Sequence, residues 1–316
     1  MVIAVAQART VRASVACEGI GLHSGRAVAL ALRPAPAGTG VLFRRMDLLE
    51  GGAGDQSERL SRVTIPATPF HVASTTLGTV LSNVHGASVS TVEHLMAALA
   101  GCGIDNAIVE LDGPEVPIMD GSAEPFLEAI ERVGVRSLPA PRRALRVTAP
   151  IHVGHGDAMA VVEPLDADEA PAFRVDVTVD YPDQLIGRQQ LTLKGSADAF
   201  RRDVAAARTF CYLSDVEAMR AQGLALGGSL DNAIVVADGA VLNEEGLRFD
   251  GEFVRHKTLD LIGDLHLLCK PVIGRVTAYK PGHTLNTMLA AAIAASTDVE
   301  VVTLLDADQA RGRILA

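Results

Sequence analysis

Glu93 and His94 lie within a stretch of helical periodicity, and a second such stretch carries His256-Lys257-Thr258-Leu259-Asp260, with Asp264 four residues further on. An α-helix turns once in about 3.6 residues, so His256 and Asp260 project from one face and can reach one metal ion. Two histidines and a carboxylate suit zinc and leave its fourth tetrahedral position to water, as a hydrolase requires and a structural knot does not. The third ligand has to come from elsewhere. His94 can supply it, while Glu93, about 100° round the same helix, addresses the water beside it. The plainer reading makes His256 and Asp260 an i,i+4 ion pair on a solvated face, and the whole set a polar patch where two helices meet. Such a patch seldom gathers two histidines and three carboxylates.

Tyr279-Lys280-Pro281-Gly282-His283 places another histidine after a strand and at a helix start. The helix N-terminus disfavours an imidazolium there and a nearby carboxylate favours it, with Asp264 the candidate partner. A Gly-rich connection, Gly19-Ile20-Gly21-Leu22-His23-Ser24-Gly25, could bring backbone amides and His23 to a phosphate, although it lacks the P-loop lysine and serves equally as a hairpin. Asp120-Gly121-Ser122 precedes a helix, where turn and capping chemistry account for it.

These side chains need elements to hold them. Residues 90–100 are helical by spacing, with Val92, Leu95, Met96 and Leu99 on one face, Ser90 or Thr91 as cap, and Gly101 and Gly103 as terminators. Residues 104–111 read as a strand, 124–133 as a helix closed by Gly134, and 173–180 as a strictly alternating strand. Further on come a helix from Ser196 to about residue 207, a strand at 233–236, a helix over 252–268, a strand over 272–279 and a terminal helix after His283. Short strands at 27–32 and 41–43 precede a loop over 46–58 that is rich in glycine and acid. Pro139 and Pro141 mark residues 137–143 as a linker, giving domains 1–138 and 139–316. Strands preceding helices in both halves predict an α+β fold. Asp105-Asn106-Ala107-Ile108-Val109 recurs at 231–235, the kind of repeat a duplication leaves, although five residues of common strand chemistry also account for it.

The chain has 316 residues, enough for two domains with their own cores. An aromatic share of 3% with no tryptophan makes those cores aliphatic and leaves few stacking platforms for bases. A net charge of -10 argues against nucleic acid as a partner, so a polyanionic ligand needs a local basic pocket. The apolar run at residues 1–6 is too short for a signal-peptide core, and nothing approaches a transmembrane segment of about 20 apolar residues; a cytoplasmic location follows. Cys17, Cys102, Cys211 and Cys269 form no C-x-x-C pair and read as reduced and mostly buried.

Ser90-Thr91-Val92-Glu93-His94, Pro117-Ile118-Met119-Asp120-Gly121-Ser122, Ala207-Arg208-Thr209-Phe210, Phe253-Val254-Arg255-His256-Lys257 with Asp260, and Lys280-Pro281-Gly282-His283 closely resemble, in this order, motifs of the zinc-dependent UDP-3-O-acyl-N-acetylglucosamine deacetylases of lipid A synthesis. The resemblance covers nearly the whole chain. It implies two related α+β domains, each a helix layer on a β-sheet, with the helices sandwiched between the sheets and the active site at the interface. By that resemblance His94, His256 and Asp260 are the ligands of Zn2+, with Fe2+ an alternative that the same donors accept. Glu93 is then the general base, His283 the general acid, Asp264 its orienting carboxylate and Thr209 a hydroxyl for the oxyanion. Lys257, His23 and Phe210 fall near the sugar and phosphates, and residues 224–236 in an insert that forms a passage for the acyl chain. The implied partner is a UDP-sugar carrying an acyl chain, handled by a monomer that works near the inner membrane. Two positions depart from the family pattern: Val179, ahead of Tyr181-Pro182, stands where an aromatic beside uracil is expected, and Pro281 where a small residue is expected. The rival readings are a zinc amidohydrolase acting on another acylated sugar or small amide, and a catalytically silent ligand-binding protein that contains zinc.

Overall fold

The computed structural model of the chain describes residues 5–49, 55–166, 168–305 and 314–315. Seven α-helices run through them: α1 Gln56–Val63, α2 Glu93–Gly101, α3 Glu124–Val133, α4 Ala197–Asp203, α5 Leu213–Ala221, α6 Glu252–Leu265 and α7 His283–Ala295. A five-stranded sheet backs the first half and an eight-stranded sheet the second. Helices α2 and α3 belong to the first half, while α6 and α7 lie on the second sheet, and α2 packs directly on α6. The helices therefore meet between the two sheets, as an α+β fold of two layered halves requires.

Each half repeats one plan. In the first, the strand Val41–Arg45 pairs parallel with Ala107–Leu111, and the crossing connection carries α2. In the second, Phe173–Asp180 pairs parallel with Val272–Tyr279, and that crossing carries α6. A further helix, α3 or α7, follows each second strand. The repeated Asp-Asn-Ala-Ile-Val segments do not mark this correspondence. Residues 105–109 lead into the second strand of the first half, whereas 231–235 lead into the strand Ile234–Ala237 of a separate three-stranded sheet.

Several elements differ from their sequence expectations for local reasons. Residues 137–143 are no free linker: the strand Val135–Pro141 pairs antiparallel with Gln7–Val11, and Arg143–Val147 follows at once in the second sheet. Prolines 139 and 141 are tolerated because this two-stranded pair has open edges. Within the range 46–58 expected as loop, α1 starts at Gln56, capped by Asp55, which accepts from the Glu58 amide. Residues 50–54 of that loop, and residues 1–4 of the apolar run, lie outside the described residues. Helix α4 stops at Asp203 rather than near 207 because Val204 leaves helical geometry at φ −133. The strand expected from 104 begins at Ala107, since the amides of Asp105 and Asn106 both donate to the Arg9 carbonyl. The four cysteines are free but only half-buried. Among the described residues no helix is long and apolar enough to cross a membrane.

His266 ties the halves together from the end of α6. Its Nε2 donates to the Ile104 carbonyl at 3.0 Å, and burial, with Arg142 adding to it, pushes its pKa down to about 4. In the unfolded chain a histidine titrates near 6.5, so between about pH 6.5 and 4 the unfolded state takes up a proton that the folded state refuses. The neutral ring costs nothing above that window, and the penalty grows as pH falls through it to on the order of 3 kcal/mol. Urea midpoints at pH 7, 5.5 and 4.5 should show this loss in the wild type and a flatter profile in His266→Gln, which keeps a donor but cannot titrate. Parallel profiles would remove His266 from the account.

Candidate active site

The opening of α2 is shaped by its surroundings more than by a cap. Thr91 has a left-handed backbone at φ +58, and its hydroxyl donates to Glu115 Oε1 at 3.0 Å. Neither Ser90 nor Thr91 therefore caps the helix; Val92 occupies that position without a side-chain bond. Glu93 and His94 begin α2 and are buried, at 2% and 4% exposure. Along α6, His256, Asp260 and Asp264 are 2%, 1% and 1% exposed, which rules out a solvated face.

The helices bring three donors together. His94, His256 and Asp260 offer ligand atoms that all lie within 4.8 Å of one another. Asp260 Oδ1 sits 3.3 Å from His256 Nε2 and 3.8 Å from His94 Nε2. His256 is fixed from behind, its Nδ1 donating to the Ala207 carbonyl at 3.0 Å and leaving Nε2 turned to the cluster. Burial and the neighbouring His256 push the His94 pKa down to about 3, and burial lowers that of His256, so both rings are neutral and carry lone pairs. Asp260 remains a carboxylate: burial opposes its charge, but the Lys257 ammonium and the His283 imidazolium outweigh burial. A divalent cation fits this set, because Asp260 Oδ1, the atom that faces both histidines, is buried with no hydrogen-bond partner. The other Asp260 oxygen accepts from Lys257 Nζ at 2.8 Å.

Beside the donors a histidine faces a carboxylate. His283 opens α7, and its Nδ1 donates to Asp264 Oδ2 at 3.0 Å while its Nε2 points to Glu93 Oε1 at 3.7 Å. Asp264 also accepts from Thr79 Oγ1 at 2.5 Å and from Asn286 Nδ2 at 2.9 Å. Burial works against a charge on His283, but Asp264, Glu93 and Asp260 prevail and hold its pKa at about 9. Glu93 is shifted upward as well, to about 7, chiefly by burial, which here favours the neutral acid. Its Oε2 accepts from the Thr79 amide at 3.0 Å. Pro281 does not displace His283 from Asp264.

Gly263 makes this proximity possible. A Cβ there would lie 2.1 Å from the Glu93 carbonyl oxygen, so only glycine lets α6 approach α2 so closely. Gly263→Ala should destabilise the fold by about 1–3 kcal/mol and lower turnover by shifting Glu93. Urea denaturation and a turnover assay together check this, and unchanged values in both would contradict the contact.

A model of the UDP-3-O-acyl N-acetylglycosamine deacetylase family matches residues 8–295. The chain belongs to this family. Proteins named UDP-3-O-acyl-N-acetylglucosamine deacetylase are similar to it over most of their length. That of Acidithiobacillus ferrooxidans is 49% identical over 285 residues, covering 90% of this chain and 89% of the relative. That of Photobacterium profundum is 46% identical over 92% of this chain and 91% of its own. The one from Anaeromyxobacter dehalogenans is 47% identical over 98% of this chain and 95% of its own.

In this deacetylase family member a cavity of about 350 Å³ has His23, Thr209 and Phe210 on its wall, and the Phe210 ring centre lies 6.1 Å from that of His256. The segment 224–236 contributes Ala225, Leu230 and Ala233, and α5 contributes Val216 and Met219. Phe210 stacks edge-on against Phe253 at 4.9 Å and Tyr181 at 5.7 Å, and Lys257 Nζ lies 5.5 Å from its ring centre. Val179 is buried at 1% exposure in the core, while Tyr181 joins this aromatic group. The turn at 19–25 is otherwise engaged: the amides of His23 and Ser24 both donate to Glu115 at 2.9 Å, so they are not free for a phosphate.

Sequence reasoning missed several supports. Thr79 joins Glu93 to Asp264, and Asn286 is a second donor to Asp264. Arg208, 1% exposed, pairs with buried Glu252 and thereby sets the chain between Ala207, which holds His256, and Thr209. Asn286 was accessible in principle, three residues beyond His283 on the same helix face. Thr79 gave no signal, because its partners are remote in sequence.

Proposed function

We propose that the chain hydrolyses the N-acetyl group of UDP-3-O-acyl-N-acetylglucosamine, giving acetate and the free sugar amine, as a step of lipid A biosynthesis. The observation that carries this reading is the placement of Glu93 and His283, one carboxylate and one imidazolium 3.7 Å apart, beside three buried converging donors, of which Asp260 Oδ1 has no hydrogen-bond partner. His94, His256 and Asp260 would hold zinc, with iron(II) an alternative for the same donors. Bound there, zinc supplies Lewis acidity towards the acetamide and a water acidified towards about pH 7.

The chain's own groups divide the proton work. Glu93 accepts a proton as water attacks the acetamide carbon, a role suited to a pKa of about 7. His283 is charged at neutral pH and donates from Nε2 to the departing nitrogen, since Nδ1 is engaged by Asp264. Thr209 donates its hydroxyl to the carbonyl oxygen as negative charge grows on it. Lys257, Phe210 and His23 bind the sugar and phosphates.

The adjoining cavity receives the acyl chain. Its apolar lining supports this, as do Leu213, Leu230 and Leu242, which line it and remain 40%, 43% and 42% exposed. A substrate with such a chain partitions to membranes, which supports transient proximity of the enzyme to the inner membrane. The test is acetate release by the purified zinc-loaded chain from UDP-3-O-acyl-N-acetylglucosamine, with UDP-N-acetylglucosamine in parallel. The acylated sugar should be turned over with far higher kcat/KM. No acetate from it would overturn the assignment, and equal rates would remove the acyl role of the cavity.

A further inference from the structure

A second cavity, of about 310 Å³, opens between the two halves where the strand Val272–Tyr279 begins, the opposite end from His283. Its apolar walls include Phe173, Phe200, Leu265 and Val272. The lining also holds three cations, Arg9, Arg142 and Lys270, and none of them belongs to the site already described.

Two of these cations are held side by side. Arg9 Nη1 and the two terminal nitrogens of Arg142 lie 3.3 to 3.5 Å from the point a Cβ would occupy on Gly103, whose φ of +66 already disfavours a side chain. A single carboxylate serves the pair. Asp105 Oδ1 accepts from Arg142 Nε at 2.9 Å, while Oδ2 accepts from the Arg9 backbone amide at 2.8 Å rather than from its guanidinium. Arg142 Nη2 turns to the Gly103 carbonyl at 3.2 Å. Among the described residues neither the Arg9 guanidinium nor the Lys270 ammonium is in an ion pair, in a chain whose net charge is -10. Guanidinium groups converging at a cavity mouth repel each other until an oxyanion bridges them, and their planar forks match carboxylate and phosphate.

We propose that this cavity binds a small amphipathic anion, its carboxylate or phosphate head on Arg9, Arg142 and Lys270 and its short apolar body among Phe173, Phe200 and Leu265. The apolar walls exclude a bare inorganic anion as the best ligand, and the cations exclude an uncharged or cationic amphiphile.

Isothermal titration of the zinc-loaded chain with octanoate, octyl phosphate, inorganic phosphate and octyltrimethylammonium tests this. Octanoate and octyl phosphate should saturate one site, the tighter of the two naming the preferred head group. Inorganic phosphate should bind at least tenfold more weakly and the cation not at all. The Arg9→Ala/Lys270→Ala variant, with acetate release retained as proof of folding, should lose at least tenfold in affinity for both anions. Binding undiminished in that variant would place the ligand elsewhere, the acyl-receiving cavity included, and overturn the proposal. Absence of saturable binding to the wild type would do the same. If the double variant failed to fold, Arg9→Ala alone, a change at an exposed side chain, should still weaken both anions several-fold, and undiminished binding in it would overturn the proposal.

Discussion

Glu93→Gln should lose roughly two to four orders of magnitude in kcat while keeping its metal and its fold, the range associated with removal of a general acid or base. The carboxylate is not among the three converging donors, so glutamine leaves the ligand set complete. It also preserves shape: the Thr79 amide that bonds Glu93 Oε2 can bond the carboxamide oxygen instead. What disappears is the capacity to take a proton, which burial has tuned by raising Glu93 to about 7. Stability should stay level or rise, because a neutral amide replaces a carboxylate that is costly to keep in a buried site. Metal content by elemental analysis, thermal melting and acetate release on one preparation check the three parts. A kcat within tenfold of wild type would remove Glu93 from the proton transfer, and loss of metal would make it a ligand instead.

The residues proposed to carry this chemistry were legible in the sequence where their placement depends on spacing along one helix. His256, Asp260 and Asp264 stand on the α6 face that turns to α2, the strand 173–180 has the limits its alternation suggests, and the strand 272–279 has those expected of it. Legibility fails where a position is decided by residues remote in the chain. Thr79 reaches Asp264 across 185 positions, and no local pattern marks it. Thr91 looks like a cap, yet Glu115 draws its hydroxyl away and the backbone turns left-handed. The amides at His23 and Ser24 look free for an anion, yet the same Glu115 occupies them. One buried carboxylate thus fixes two segments that sequence reasoning treats as independent. Prolines at 139 and 141 suggest a break in structure, but an exposed two-stranded pair accommodates them. The quoted motif around Arg208 is where structural and functional demands overlap: its ion pair with Glu252 anchors the carbonyl that sets the His256 tautomer.

Asp260→Asn should be the most damaging single substitution, because the two Asp260 oxygens face different groups and the proposed ligand role would account for only one of them. One oxygen faces the histidines with its bonding capacity unfilled, and the other holds the Lys257 ammonium at 2.8 Å. Asparagine keeps the shape and removes the charge. Metal content after dialysis should fall from near one equivalent towards zero, and turnover with it, since a neutral amide is a poor ligand beside two imidazoles. Stability measured with chelator present should fall too, because breaking a buried ion pair from one side leaves an uncompensated charge, at a cost of about 3–5 kcal/mol. Lys257 is half-buried, at 18% side-chain exposure, so the lower part of that range applies. The Asp260→Asn/Lys257→Met double variant separates the two functions: it should regain most of the lost stability, since no orphaned ammonium remains, while metal content stays low. His256→Ala should lose metal as well, but Lys257→Met should not restore its stability, because the Asp260–Lys257 pair is intact there. Unchanged metal stoichiometry in Asp260→Asn would strike Asp260 from the ligand set. A double variant no more stable than the single would show that Lys257 is neutralised by some other group, with Glu93, which also favours its charge, the next to test.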